Sequence, residues 1–230
     1  MTGRVLGIDA CKTGWVGVVL DGGAISACFG TTIMKVVAAA ELVGEIAVVG
    51  IDIPIGLPDT SERLADVQAR LAVGPRRNSV FMTPVRSALQ CADHASAVRV
   101  NRQATGKGVS IQAFSLRKRI LEVDTWLRPA THRVVEVHPE VSFAAMAGTP
   151  LLHGKTTWAG FETRVQLLTR SGITLAGNIG GDVGRLAGVD DVLDAAAAAW
   201  SARRVAAGDA RSLPSPPDTF SDGVQCAIWA

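Results

Sequence analysis

The chain reads as an α/β fold in which a mixed sheet is flanked by helices and interrupted by a helical insertion. Three observations lead there. Two apolar runs, Val5-Leu6-Gly7-Ile8 and Val48-Val49-Gly50-Ile51, each end in an aspartate, and continuous apolar runs of that length suit strands covered on both faces. A hairpin signal and a helical pattern lie between them. From Thr60 to Arg128 the sequence turns charged and helix-forming. With 230 residues, 48% hydrophobic and 19% charged, the chain can bury a sizeable core and is not of disordered composition. One domain over residues 1–230, with the insertion at about 60–128, is the expected organisation.

Taken in order, residues 4–9 form a buried strand. Trp15–Leu20 and Ala24–Phe29 follow, joined by the turn signal Asp21-Gly22-Gly23, which suits a tight hairpin. Ile33–Leu42 has one apolar face and reads as a helix. Ile46–Ile53 is a continuous apolar strand, and Pro54 keeps Ile53 extended. The insertion is broken at Gly74-Pro75 and at Gly106-Lys107-Gly108. Strand character returns at Arg133–His138, and a Gly-, Thr- and Pro-rich loop is expected after it. Helices are expected at Phe161–Ser171 and from about Asp191 to Ala207, with a glycine-rich loop at Ile173–Arg185. Pro214, Pro216 and Pro217 predict an irregular loop, and Val224–Trp229 a short terminal strand.

Composition narrows the setting. The formal net charge is only +2, so nucleic-acid contact must come from local basic patches. Cys11, Cys28, Cys91 and Cys226 are scattered with no CxxC pair, which speaks against a zinc cluster and for free thiols in a reduced, cytoplasmic protein. The first residues enter a strand directly, without the pattern of a secretion signal. The Ala195–Ala199 run is too short to span a bilayer, so no membrane association is expected.

Four acids carry the chemistry. Asp9 and Asp52 end equivalent strands, and if those strands lie side by side and parallel the two carboxylates emerge at one sheet edge, where α/β sheets bind ligands. Asp191 and Asp194 are three residues apart and share a helix face. Asp190 is the expected N-cap, and acids in a first turn suit the helix dipole; that accounts for Asp191 but less well for Asp194. Alanines after Asp194 let its helix lie close to a sheet. Gathered carboxylates repel one another, and a divalent metal ion is the usual remedy. Glu136, His138 and Glu140 alternate along a strand. Glu136 or Glu140 is a candidate further ligand or water-activating base, and His138 a supporting donor. Lys12, Arg76, Arg77 and Lys107 are candidates for phosphate contact, with Lys155 a weaker one; by sequence alone an ordinary solvated cation is the commoner reading of each.

Several segments together resemble a known family. Gly7-Ile8-Asp9, Ile51-Asp52-Ile53-Pro54-Ile55-Gly56-Leu57-Pro58, Arg76-Arg77-Asn78-Ser79-Val80-Phe81 and Thr105 to Phe114 carry the resemblance. So do Glu136-Val137-His138-Pro139-Glu140-Val141-Ser142-Phe143 and Gly223 to Trp229. They are similar to the domain of unknown function 429 family over nearly the whole chain. The resemblance implies a predicted nuclease with a ribonuclease H-like fold. Within that superfamily, Asp191-Val192-Leu193-Asp194-Ala195 is similar to the last helix of Holliday-junction resolvases, where paired acids join one acid on the first strand and one on the fourth. Carried over, Asp9, Asp52, Asp191 and Asp194 are the expected metal ligands. The resolvases typically have glutamate on the fourth strand where this chain has the shorter Asp52, which gives Glu136 and Glu140 a possible compensating role.

The expected reaction is phosphodiester hydrolysis in nucleic acid with two Mg²⁺ (or Mn²⁺) ions about 4 Å apart. Asp9 would bridge them, Asp52 and Asp194 would each hold one, and Asp191 would assist. Lys12, Arg76, Arg77, Lys107, His138 and Glu140 would face the substrate, the basic ones holding phosphates without reading sequence. Two alternatives stand beside it. One is an actin-like or sugar-kinase-like phosphotransferase, with Gly177, Gly180, Gly181 and Gly184 as a nucleotide loop. The other is a non-catalytic nucleic-acid-binding module.

Overall fold

The computed structural model describes residues 3–175, 179 and 183–230. Strands β1 (Val5–Cys11), β2 (Gly14–Asp21) and β3 (Ala24–Gly30) form an antiparallel meander. Asp21 pairs with Ala24, so the hairpin loop is Gly22-Gly23, both at positive φ (54° and 113°), where glycine is unstrained. Helix α1 (Ile33–Glu41) follows, its Thr32 N-cap accepting from the Lys35 N–H, and leads into β4 (Val48–Ile51), parallel to β1.

The insertion is helical, as its composition predicts. It comprises α2 (Leu64–Ala72), a 3-10 turn (Gly74–Ser79), α3 (Arg86–Leu89), α4 (His94–Thr105) and α5 (Ile111–Leu127). The Gly-Pro and Gly-Lys-Gly breaks fall where expected: Gly106 is the left-handed C-cap of α4. Strand β5 (Arg133–Glu136), α6 (Pro139–Ala147), α7 (Trp158–Arg170), α8 (Val183–Leu186), α9 (Val189–Ala207), β6 (Ser212–Thr219) and β7 (Gln225–Trp229) complete the chain. The seven strands lie in the order β3-β2-β1-β4-β5-β7-β6. Of these, β2 and β6 run against the rest.

Three expectations need correction. The proline-rich stretch at Pro214, Pro216 and Pro217 is strand β6, at the sheet edge. Its pairing with β7 shifts register between Leu213 and Asp218, so the prolines sit where no ladder bond is required. The strand predicted over Arg133–His138 stops at Glu136, and the loop predicted after it begins with α6. Pro139 occupies the first turn of that helix and His138 is its N-cap, a proline placement that suits a helix start. The last long helix is capped by Gly188, not Asp190, because the Asp191 carboxylate accepts from the Gly188 N–H at 2.9 Å.

Strand alternation sorts the core onto two faces. Leu6, Ile8, Val49 and Ile51 pack with α1 and α5. Val5 and Val48 pack on the other face with α9. Gly7 and Gly50 share the α9 face. A Cβ on Gly7 would stand 2.0 Å from Ala199 N and 2.2 Å from Ala195 O, and one on Gly50 would stand 2.8 Å from Ala198 O. Glycine in the strand and alanine in the helix let the two backbones touch. Period two then fixes the outcome for the acids: Asp9 and Asp52, two residues beyond those glycines, face α9 as well.

Candidate metal centre

Asp9 and Asp52 end adjacent parallel strands. Ile8 pairs with Ile51, and the Asp52 N–H continues the ladder to Ile8 O at 2.9 Å. Asp194 comes from the first turns of α9, whose positive end faces the same point. One carboxylate oxygen from each of Asp9, Asp52 and Asp194 lies within 4.8 Å of the others. Asp9 and Asp194 are 7% and 4% exposed. Around an octahedral Mg²⁺ at about 2.1 Å, ligand oxygens stand roughly 3 Å apart in cis and 4.2 Å in trans, so the three acids fit one shared cation with small adjustment.

The neighbours add two observations. Glu140 is buried, and Arg164 holds its Oε1, while its Oε2 has no hydrogen-bond partner among the described residues. That orphaned oxygen belongs to a residue lining the same cavity, of about 420 Å³, as the three aspartates, and unpaired buried oxygens call for a cation or a donor. Among the described residues the only ammonium lining this cavity is Lys155, whose Nζ is 2.6 Å from Asp194 Oδ2 and 3.2 Å from Asp190 Oδ2.

The acids titrate high. Burial lifts the Asp9 carboxyl well above the ordinary carboxylate range, and Asp52 and Asp194 lift it further. Burial raises Asp52 to about 7 against the pull of Lys155, with Glu140 adding to the rise. Burial raises Asp194 to about 6, again against Lys155. Between the unfolded value of about 3.9 and these folded values, the native state binds more protons than the unfolded chain. Linkage then gives a stability that falls as pH rises from about 4 through about 7. In EDTA, the urea midpoint is expected to be lower at pH 8 than the carboxylates' contribution allows at pH 5. Mg²⁺ or Mn²⁺ is expected to restore it at pH 8 and to do little at pH 5, where protons compete for the same oxygens.

The other residues singled out in the sequence divide into two groups. Asp191, Glu136, His138, Glu140 and Arg76 line the cavity; Lys12, Arg77 and Lys107 do not. Lys12 is exposed in the β1–β2 turn and Arg77 is exposed in the 3-10 turn. Lys107 pairs with Glu62 at 2.8 Å. Asp191 gives one oxygen to the α9 cap and stands outside the three-acid group. Glu136 is tied into structure: its Oε2 accepts from Ile55 N at 2.7 Å and from Arg63 Nη2. His138 Nδ1 accepts from Glu140 N at 3.2 Å. Burial lowers its pKa, and the ring nitrogen serves the α6 cap. The glycines Gly177, Gly180 and Gly181 lie outside the described residues, and Gly184 is in α8.

Arg63 and Arg164 escaped the sequence reading, since nothing in a lone arginine signals burial. Arg63 is 0% exposed and also reaches Thr83 Oγ1 at 2.9 Å, Ile55 O at 3.2 Å and Asp66 at 3.3 Å. Arg63→Met is expected to destabilise by about 3 kcal/mol, the lower end for a broken buried pair, because Glu136 can take up a proton in response. Chemical denaturation of the variant checks this.

A family model described as "protein of unknown function (DUF429)" matches residues 7–219. The chain belongs to the DUF429 family. The match runs from within β1 to the end of β6, and so includes every member of the three-acid group of this DUF429 chain. Neither the curated proteins nor the solved structures yield a match. Among the described residues no helix is long and apolar enough to cross a membrane. The four cysteines are free thiols.

Proposed function

We propose that this DUF429 chain is a ribonuclease H-like, Mg²⁺- or Mn²⁺-dependent hydrolase of phosphodiester bonds in nucleic acid, working in the reduced cytoplasm. The observation that carries the proposal is the convergence of Asp9, Asp52 and Asp194 within 4.8 Å. The sheet order β3-β2-β1-β4-β5, with β2 alone antiparallel among these five, supports the fold assignment.

The residues divide the work. Asp9, Asp52 and Asp194 would hold the cation, with Glu140 Oε2 as a further acceptor at its edge. When bound, the metal supplies charge stabilisation for the phosphoryl oxygens and a more acidic water. Arg76 is the basic group placed to receive the phosphodiester. Its guanidinium packs on Gly154 at the cavity wall, where a Cβ on that glycine would meet it at 3.0 Å, and its Nε has no partner. It would hold phosphate without reading bases. The acids line a cavity of about 420 Å³, so a strand must enter it to be cut.

Purified protein incubated with end-labelled single-stranded and duplex DNA and RNA provides the test. Cleavage that requires Mg²⁺ or Mn²⁺ and stops in EDTA is the expected result. Salt-sensitive binding without cleavage, even in Mn²⁺, would instead identify a binding module. Saturable ATP binding by calorimetry would favour the phosphotransferase.

A further inference from the structure

Lys155 has two carboxylate partners, and the stronger contact is with a proposed metal ligand. Its Nζ is 2.6 Å from Asp194 Oδ2, inside the group that a divalent ion would need. Burial depresses its pKa, but Asp194, helped by Asp9 and Asp190, outweighs burial and raises it, so the ammonium stays charged. The second partner, Asp190, is 42% exposed.

The backbone bearing Lys155 is firmly held. Thr157 N and Oγ1 both donate to Gly154 O, at 3.0 and 2.8 Å. Arg164 Nη1 donates to His153 O at 3.2 Å. A Cβ on Gly160 would stand 1.9 Å from Gly154 O, so α7 presses directly on this loop. The lysine side chain is not held in the same way: it is 35% exposed, and its stem has four rotatable bonds. It can leave Asp194 without moving the loop.

A divalent ion bound to Asp194 Oδ2 would stand against a unit positive charge already on that oxygen. The two cations cannot share it at low cost in a buried setting. We propose that Lys155 is the resident counter-ion of the acid group, exchanged for the divalent ion when metal binds. The ammonium passes from Asp194 to Asp190, the more exposed of its two partners, where an incoming phosphate would meet it. The unpartnered Glu140 Oε2 is the independent sign that the lysine leaves the group's demand for positive charge unfilled. This inference rests on the metal-centre reading above.

Trace acetylation of the intact protein with acetic anhydride, with and without saturating Mn²⁺, tests the exchange by peptide mass spectrometry. Exposed Lys35 serves as internal reference. Labelling of Lys155 relative to Lys35 is expected to rise several-fold on Mn²⁺ addition, because an amine no longer held 2.6 Å from Asp194 is open to the reagent. Calorimetry on Lys155→Met is expected to show Mn²⁺ bound roughly tenfold tighter, the competing charge being gone. Mn²⁺ binding with unchanged Lys155 labelling overturns the exchange and leaves the metal centre standing. Unaltered affinity in the variant likewise overturns it. Absence of Mn²⁺ binding in the wild type overturns both.

Discussion

Asp9→Asn is expected to lower Mg²⁺-dependent cleavage by roughly 10³-fold or more, beyond the ten- to hundredfold carried by the outer partners of a metal site. The change is nearly isosteric. Asn Oδ1 can keep the bond that Asp9 Oδ1 accepts from Ala10 N at 2.7 Å, so the end of β1 should hold its shape. What is lost is the charge at the centre of the three-acid group. The same loss should make the metal-free protein more stable. Asp9 is buried beside Asp52 and Asp194, and both raise its pKa; a neutral amide relieves that repulsion and can donate to either neighbour. A gain of about 1 kcal/mol or more in EDTA at pH 8 is expected, read from urea denaturation. Activity and stability thus move in opposite directions, which mere unfolding would not produce. A variant that cleaves like wild type would remove Asp9 from the chemistry.

Gly7→Ala is expected to destabilise the protein by more than about 4 kcal/mol, above the usual range for overpacking. The new methyl would lie 2.0 Å from Ala199 N and 2.2 Å from Ala195 O. These are backbone atoms, so no rotamer change relieves the clash. Helix α9 must move off β1, and Asp194 moves with it, away from Asp9. Any protein that still folds should therefore bind Mn²⁺ more weakly by calorimetry. Gly184→Ala is the control: among the described residues a Cβ there meets nothing within 4 Å, and in helix α8 the change should leave stability equal or raise it by up to about 1 kcal/mol. Equal stability of the two variants would show that contact between α9 and the sheet does not hold the site together.

The site was partly legible before the fold was known. Gly7-Ile8-Asp9 and Gly50-Ile51-Asp52 carry the same message twice: a buried strand, a glycine facing a close neighbour, and an acid two residues on. Asp194, followed by an uninterrupted alanine run, names that neighbour. The α6 helix was missed, because loop-forming composition outweighed its two local signals, Pro139 after His138 and Gly148 at its end. Strand β6 was not, because three prolines deny a ladder its donors and only an edge position with a register shift accommodates them.

By itself the sequence determined the local matters: strand alternation, the hairpin, and the two acids that end equivalent apolar runs. These depend on neighbours within a few residues, and short-range geometry repeats reliably. Only the tertiary structure decided which charges meet. It assigned Glu136 to Arg63 and Glu140 to Arg164, left one Glu140 oxygen without a partner, and set Lys155 against Asp194. Those partners are 73, 24 and 39 residues apart, and pairing over such distances follows from how helices and loops pack on the sheet, which no local pattern of residue types encodes.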